Sequence, residues 1–209
     1  MASRIKKPES ERGIVTQPAS PTPNRPPDSA LANTYPLSEF YAHAKLPMPR
    51  IEMIPGESMP EPFKTLLVHN HDMTPTLEAF HKTDIHLEML TRERRGDFYF
   101  REVVLRLHAS ELPVEFGANK LYLGRFPEDA HDLILQEYVP LGRILKDCHV
   151  PHRTEAKAFL RVQSDELIGG KFELTQPEVL YGRKAVISDL QGRPLSEIVE
   201  ILPPNNPAS

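Results

Sequence analysis

Hydrophobic and polar positions in this chain become periodic from Pro62 onward, and little in the pattern before that is regular. Residues 36–50 hold a few apolar anchors and predict a short helix packed on the domain. Phe63 to Val68 is a short apolar segment. The spacing then predicts a helix with Thr74 as N-cap and Pro75 at its first position, running through Leu77 and Phe80 to about His81. Period-2 alternation follows: Ile85, Leu87 and Met89 mark a first strand, and Phe98 to Leu107 a second across the turn Arg94–Asp97. Val114 to Leu123 is a third strand. Helices are expected to open at Pro127-Glu128-Asp129 and at Pro140-Leu141, the latter ending near Cys148. A fourth strand covers about Ala156 to Val162, and a short helical or loop segment starts at Ser164-Asp165-Glu166. A closing hairpin joins Val179–Ser188 to Leu195–Leu202 through a turn at 189–193. There is no internal repeat. Strands joined mostly by turns, with helices clustered between some of them, predict an α+β domain on one antiparallel sheet of about six strands, spanning 36–204.

Composition changes the picture mainly at the N-terminus. Of 22 prolines in 209 residues, twelve precede Phe63. The stretch QPASPTPNRPPDSALANTYP is too poor in apolar residues to offset its chain entropy, so residues 1–35 are expected to be a disordered tail, with 205–209 a second short one. A PxxP-type docking segment is the alternative for that tail. The start has no apolar h-region of a signal peptide. A single cysteine makes no internal disulfide and fits a reducing, cytoplasmic setting. A net charge of −4 gives no basic field for nucleic acid, and no apolar stretch is long enough for a membrane helix.

The strand faces carry a sharper signal. Tyr99, Arg101, Val103, Leu105 and Leu107 share one face, which places an arginine on an apolar stripe. On the last strand Ile198, Glu200 and Leu202 share one face, and Leu195, Glu197, Val199 and Ile201 the other. At least one of the two glutamates therefore points among apolar neighbours. A buried charge costs several kcal/mol unless paired. Two readings stand: a structural Arg–Glu pair or a sheet with a wet second face, and a pocket lined by one Arg and one Glu. An arginine fork suits a carboxylate ligand, and a desolvated glutamate suits acid–base work.

Other chemistry is thin. His69, His71, His149 and His152 lack the partners that complete a metal set, so structural or surface roles are expected and no metal. Hydrolase-elbow, P-loop and dinucleotide fingerprints are missing. Cys148 has no evident base beside it, which argues against a nucleophile.

Four segments in order resemble the chorismate lyases (chorismate pyruvate-lyases). They are Asp72-Met73-Thr74; Phe100-Arg101-Glu102-Val103-Val104-Leu105; Pro140-Leu141-Gly142-Arg143-Ile144-Leu145; and Leu180-Tyr181-Gly182-Arg183-Lys184, continued by Gly192-Arg193-Pro194-Leu195 and Val199-Glu200-Ile201-Leu202-Pro203. Val114-Glu115-Phe116-Gly117-Ala118 is similar to a divergent branch of that family. The resemblance implies the chorismate lyase-like fold, also used by the ligand-binding (UTRA) domains of certain regulators, with helices on one side of the sheet and a ligand enclosed under helical flaps. It implies a cofactor-free cleavage of chorismate to 4-hydroxybenzoate and pyruvate. Arg101 would hold a substrate carboxylate with help from the backbone N–H at Leu141, Met73 would lie against the ring, Gly142 and Arg183 would add contacts, and Glu200 would act near ring C4. Glu197 stays open as the alternative carboxylate, because the hairpin spacing departs by one residue from the family's. Bacterial members have an arginine directly after the third-strand glycine, where this chain has Ala118.

Two other function classes remain. A non-catalytic small-molecule-binding module of the same fold would normally follow a basic winged-helix domain, which residues 1–62 are too Pro-rich to form. A scaffold acting through the tail is the third. The expected partner is a chorismate-like small molecule, with no nucleic acid, membrane or cofactor; oligomeric state is left open.

Overall fold

A computed structural model of the chain describes residues 29–204. The tails expected at 1–28 and 205–209 lie outside the described residues. Ser29–Thr34, expected to belong to the first tail, instead form a short helix α1. Helix α2 (Leu37–Ala44) follows, as the anchors in 36–50 predict.

Seven strands build one sheet: β1 (Ile51–Ile54), β2 (Ile85–Arg95), β3 (Phe98–Leu107), β4 (Pro113–Tyr122), β5 (Arg153–Gln163), β6 (Val179–Ser188) and β7 (Pro194–Leu202). Every neighbouring pair is antiparallel, in the order β1-β5-β6-β7-β4-β3-β2. The sheet is two meanders, β2-β3-β4 and β5-β6-β7, joined along β4 and β7. Gly96 and Gly192 sit at positive φ in two of the hairpin turns, where a side chain would be strained. The strand beyond the expected six is β1, a four-residue edge strand too short to show a period.

Helices α3 (Phe63–Leu67) and α4 (Met73–His81) lead into β2, and α5 (Glu128–Gln136) and α6 (Leu141–Asp147) connect the meanders. These four cover one face. Their apolar sides bury Leu66, Leu77, Ile134 and Ile144 against strand residues such as Val103, Leu105 and Leu121. Each such burial contributes about 1.5–3 kcal/mol. The opposite face is covered as well, by α2 and by α7 (Glu166–Lys171), whose Tyr41 and Ile168 pack on Val104, Phe116 and Val199. The helices expected on one side are thus α3 to α6, and the second face carries two more.

Covering both faces explains why β3 is buried at almost every position from Tyr99 to Leu107. Helix α4 starts at Met73 rather than after Thr74, with Asp72 at its N-cap position. Among the described residues no helix is long and apolar enough to cross a membrane.

Candidate functional site

The two meanders meet under α4 and α6, and there the sheet does not fill the space beneath the helices. Strand parity sets the floor. Across β3, β4, β7 and β6, Val103 faces Gly117, Gly117 faces Glu200, and Glu200 faces Arg183. One step along the same face, Arg101 faces Asn119 and Asn119 faces Ile198. Gly117 therefore sits in a ring of longer side chains and leaves a gap at its centre. A Cβ there would lie 3.1 Å from Val103 and 3.3 Å from the Asn119 amide. The roof is Asp72, Met73 and Thr74 from α4 and Pro140, Leu141 and Gly142 from α6. Gly142 lets the two helices touch, since a Cβ on it would meet the Thr74 hydroxyl at 3.0 Å. The cavity measures ≈ 30 Å³, about the room of one water.

Arg101 is 1% exposed, lines this cavity, and its Nε and Nη1 have no hydrogen-bond partner among the described residues. Burial lowers its pKa to about 10, with Tyr99 and Glu137 acting in the opposite direction. The guanidinium keeps its charge at neutral pH. A buried cation with unmatched donors is costly unless an anion meets it.

Arg183 is fully buried but fully engaged. Its Nε donates to Glu200 Oε2 at 2.6 Å, Nη1 to the His69 carbonyl at 3.0 Å and Nη2 to the His71 carbonyl at 2.9 Å. It lines the cavity, yet its geometry is that of an anchor that holds Glu200 and the loop leading into α4. Glu200 is buried. Burial pushes its carboxyl up while Arg183 pulls it back down. Glu197 is on the opposite face, bonded to the Tyr122 hydroxyl and paired with Lys120 and Lys184. Of the two glutamates the sequence leaves open, Glu200 is the one at the cavity.

Met73, Leu141 and Gly142 also line this cavity. The residue after Gly117, Ala118, points into the other core, and Asn119 takes the place beside Arg101. Three further polar residues here were not singled out from sequence. Glu115 is 2% exposed with Oε2 unpartnered, on the same face of β4 as Gly117 and Asn119. Asp72 and Thr154 close one end, where Asp72 accepts from the Thr154 hydroxyl and meets His152 Nε2 at 2.9 Å. Burial pushes the Asp72 carboxyl up, but the bonds from His152 and Thr154 outweigh it and hold it below its ordinary range. The same bond raises His152. Glu115 and Asn119 were legible as positions sharing a strand face with Gly117; Asp72 with His152 is a contact over 80 residues that no local pattern carries.

No group of three or more His, Cys, Asp or Glu able to hold a metal ion occurs among the described residues. Burial, with Asp129 beside it, pushes the Cys148 thiol up, away from the reactive thiolate.

No protein-family model matches the chain, and no curated protein matches it by sequence. Solved structures do match it in shape. PhnF from Mycobacterium smegmatis aligns over 64% of this chain and 64% of its own, at 11% identity and a TM-score of 0.50. The ligand-binding domain of a protein assigned to the GntR-family transcriptional regulators of Bordetella bronchiseptica aligns over 57% of this chain and 85% of its own, at 14% identity and a TM-score of 0.45. At such identities the likeness is one of fold. That fold is the expected one: α+β, on a single antiparallel sheet, chorismate lyase-like.

Proposed function

We propose that this chain binds a small organic acid in the cavity under α4 and α6, with the acid's carboxylate on Arg101. One observation carries the reading: a fully buried guanidinium with unmatched donors, aimed into a cavity that a glycine opens. An arginine fork and a carboxylate match in charge and in bidentate geometry. The first backbone N–H groups of α6, at Leu141 and Gly142, have no partner inside the helix and border the same space. The cavity volume is far below the roughly 300 Å³ of ordinary ligand pockets. Binding therefore requires α4 or α6 to lift and reclose, a motion that commonly sets the pace of uptake and release. Calorimetric titration with small carboxylic acids tests this, and an unchanged response in Arg101→Met would count against it.

A finer reading is cleavage of chorismate. It is favoured by the four ordered motifs and by Glu200, rather than Glu197, lying at the cavity. In this reading Glu200 takes the proton from ring C4 and the C–O bond to the enolpyruvyl group breaks. The electron pair of the C–H bond completes the aromatic ring, and enolpyruvate leaves and is protonated to pyruvate. Burial and Arg183 together set the basicity of Glu200, so positioning and electrostatics supply the catalysis without a cofactor. Incubation with chorismate, with mass analysis of the products, tests it. Release of 4-hydroxybenzoate and pyruvate by the native chain and not by Glu200→Gln is expected. Binding of the aromatic acid without release of pyruvate would leave a binding protein and rule out the lyase.

A further inference from the structure

We infer that the second face of the sheet carries a binding site for a small organic amine, whose ammonium group meets Glu102. The site is the groove between α2 and the edge strand β2. It lies across the sheet from the cavity under α4 and α6, and it does not depend on the reading of Arg101.

Strand parity separates the two sites. Glu102 directly follows Arg101 on β3, so its side chain leaves the sheet on the opposite side. It pairs with Ala118 on β4, which belongs to the core under α2 and α7, and with Thr91 on β2. The pairing of β2 with β3 shifts register between Met89 and Thr91, directly beside Glu102. A bulge of this kind bends its strand and re-aims the neighbouring side chains. The groove there measures ≈ 420 Å³, within the size range of small-ligand sites. Phe40 from α2 and Phe100 from β3 line it, edge to face, with ring centroids 6.4 Å apart.

Glu102 lines this groove, is 5% exposed, and its Oε1 has no hydrogen-bond partner among the described residues. The other charges of the groove are already matched. Arg95 donates Nε and Nη2 to Glu93 at 2.7 Å each and Nη1 to Glu39, and its guanidinium lies 4.8 Å from the Phe100 ring centroid. Arg92 is paired with Glu137, which does not line the groove. His43 Nδ1 stands 3.7 Å from Glu93. Within the groove Arg95 thus faces three carboxylates, Glu39, Glu93 and Glu102, and is bonded to the first two. Lys171 on α7 acts on Glu102 through its charge.

That imbalance selects the ligand. An anion would add to the excess of negative charge. A neutral hydroxyl would satisfy Oε1 and leave the charge unmatched. An ammonium supplies an N–H donor and the missing positive charge together, and the Phe40 ring adds a surface that favours a cation. Burial pushes the Glu102 carboxyl up to about 7, so at neutral pH ionising it for such a partner costs little.

Calorimetry at neutral pH with benzylamine and its uncharged isostere benzyl alcohol tests the inference. The native chain should bind the amine at least about tenfold tighter than the alcohol, the scale of one charge-assisted hydrogen bond. Glu102→Gln keeps the shape of the side chain and removes its charge, and it should lose that preference. Amide hydrogen exchange locates the site without any substitution: benzylamine should slow exchange in α2 and at residues 91–93 of β2. Three results overturn the inference. They are a native chain that binds the amine no better than the alcohol, a preference that persists in Glu102→Gln, and an amine that leaves exchange in α2 unchanged.

Discussion

Arg101 and Arg183 are chemically identical and equally buried, yet the fold treats them in opposite ways. Arg183 spends its nitrogens on Glu200 and two carbonyls, whereas Arg101 keeps Nε and Nη1 unmatched. Substitutions that break the two arrangements should therefore differ in sign. Replacing Arg101 with Met removes an uncompensated buried charge, so Arg101→Met should raise stability, by about 1–3 kcal/mol in denaturant unfolding. Replacing Glu200 with Gln strips the anion from beside a buried guanidinium, so Glu200→Gln should cost about 3–5 kcal/mol in the same measurement. A loss of stability in Arg101→Met would mean that the guanidinium has protein partners in solution. At this scale the sequence was informative. Parity alone put Arg101 on an apolar stripe but left Glu197 and Glu200 both open, and only the sheet distinguishes them, with Glu200 at the cavity. It could not separate Arg183 from a ligand contact, because what occupies a side chain's donors depends on a loop more than 100 residues away.

At the scale of elements, α4 and α6 form a roof whose fit depends on Gly142. Thr74 stands 3.0–3.1 Å from where its Cβ would be. Gly142→Val should spread the helices and destabilise by about 1–3 kcal/mol, with faster hydrogen exchange in α4. The Asp72–His152–Thr154 cluster ties the start of α4 to β5, and it is sensitive to pH in two directions. His152 is raised in the folded chain, so its contribution is complete below about pH 6.5 and fades as pH rises through the folded value. Asp72 is lowered, so its contribution is complete above about pH 3.9 and is lost as pH falls through the folded value. Protection of α4 amides, corrected for intrinsic exchange, should be greater near pH 5.5 than near pH 8, and Asp72→Asn should flatten the difference. Equal protection at both pH values in the native chain would dissociate the cluster from the roof. Sequence reading found α4, α5 and α6 from their prolines and apolar spacing. It missed α3 and β1, because five and four residues are too few to show a period.

For the whole molecule, the main surprise is that both faces of the sheet are covered. Alternation had allowed a wet second face, but α2 and α7 close it, and Glu102 is buried there with its carboxyl pushed up to about 7 by desolvation. Burial on both sides blurs the period-2 signal, which is why a pattern could narrow the fold class yet not say how many helices lie on each face. What the fold does for function is topological. Two meanders meet at β4 and β7, and one missing side chain at Gly117 turns the seam into a cavity lined by Arg101 and Arg183 and by the acids Asp72, Glu115 and Glu200. The most direct test of this account is a calorimetric titration of 4-hydroxybenzoate and its neutral amide into the native chain and Arg101→Met. The account predicts binding of the acid by the native chain at least about tenfold tighter than of the amide, and loss of that difference in a folded Arg101→Met. Equal binding of acid and amide by the native chain, or undiminished binding of the acid by Arg101→Met, would contradict it.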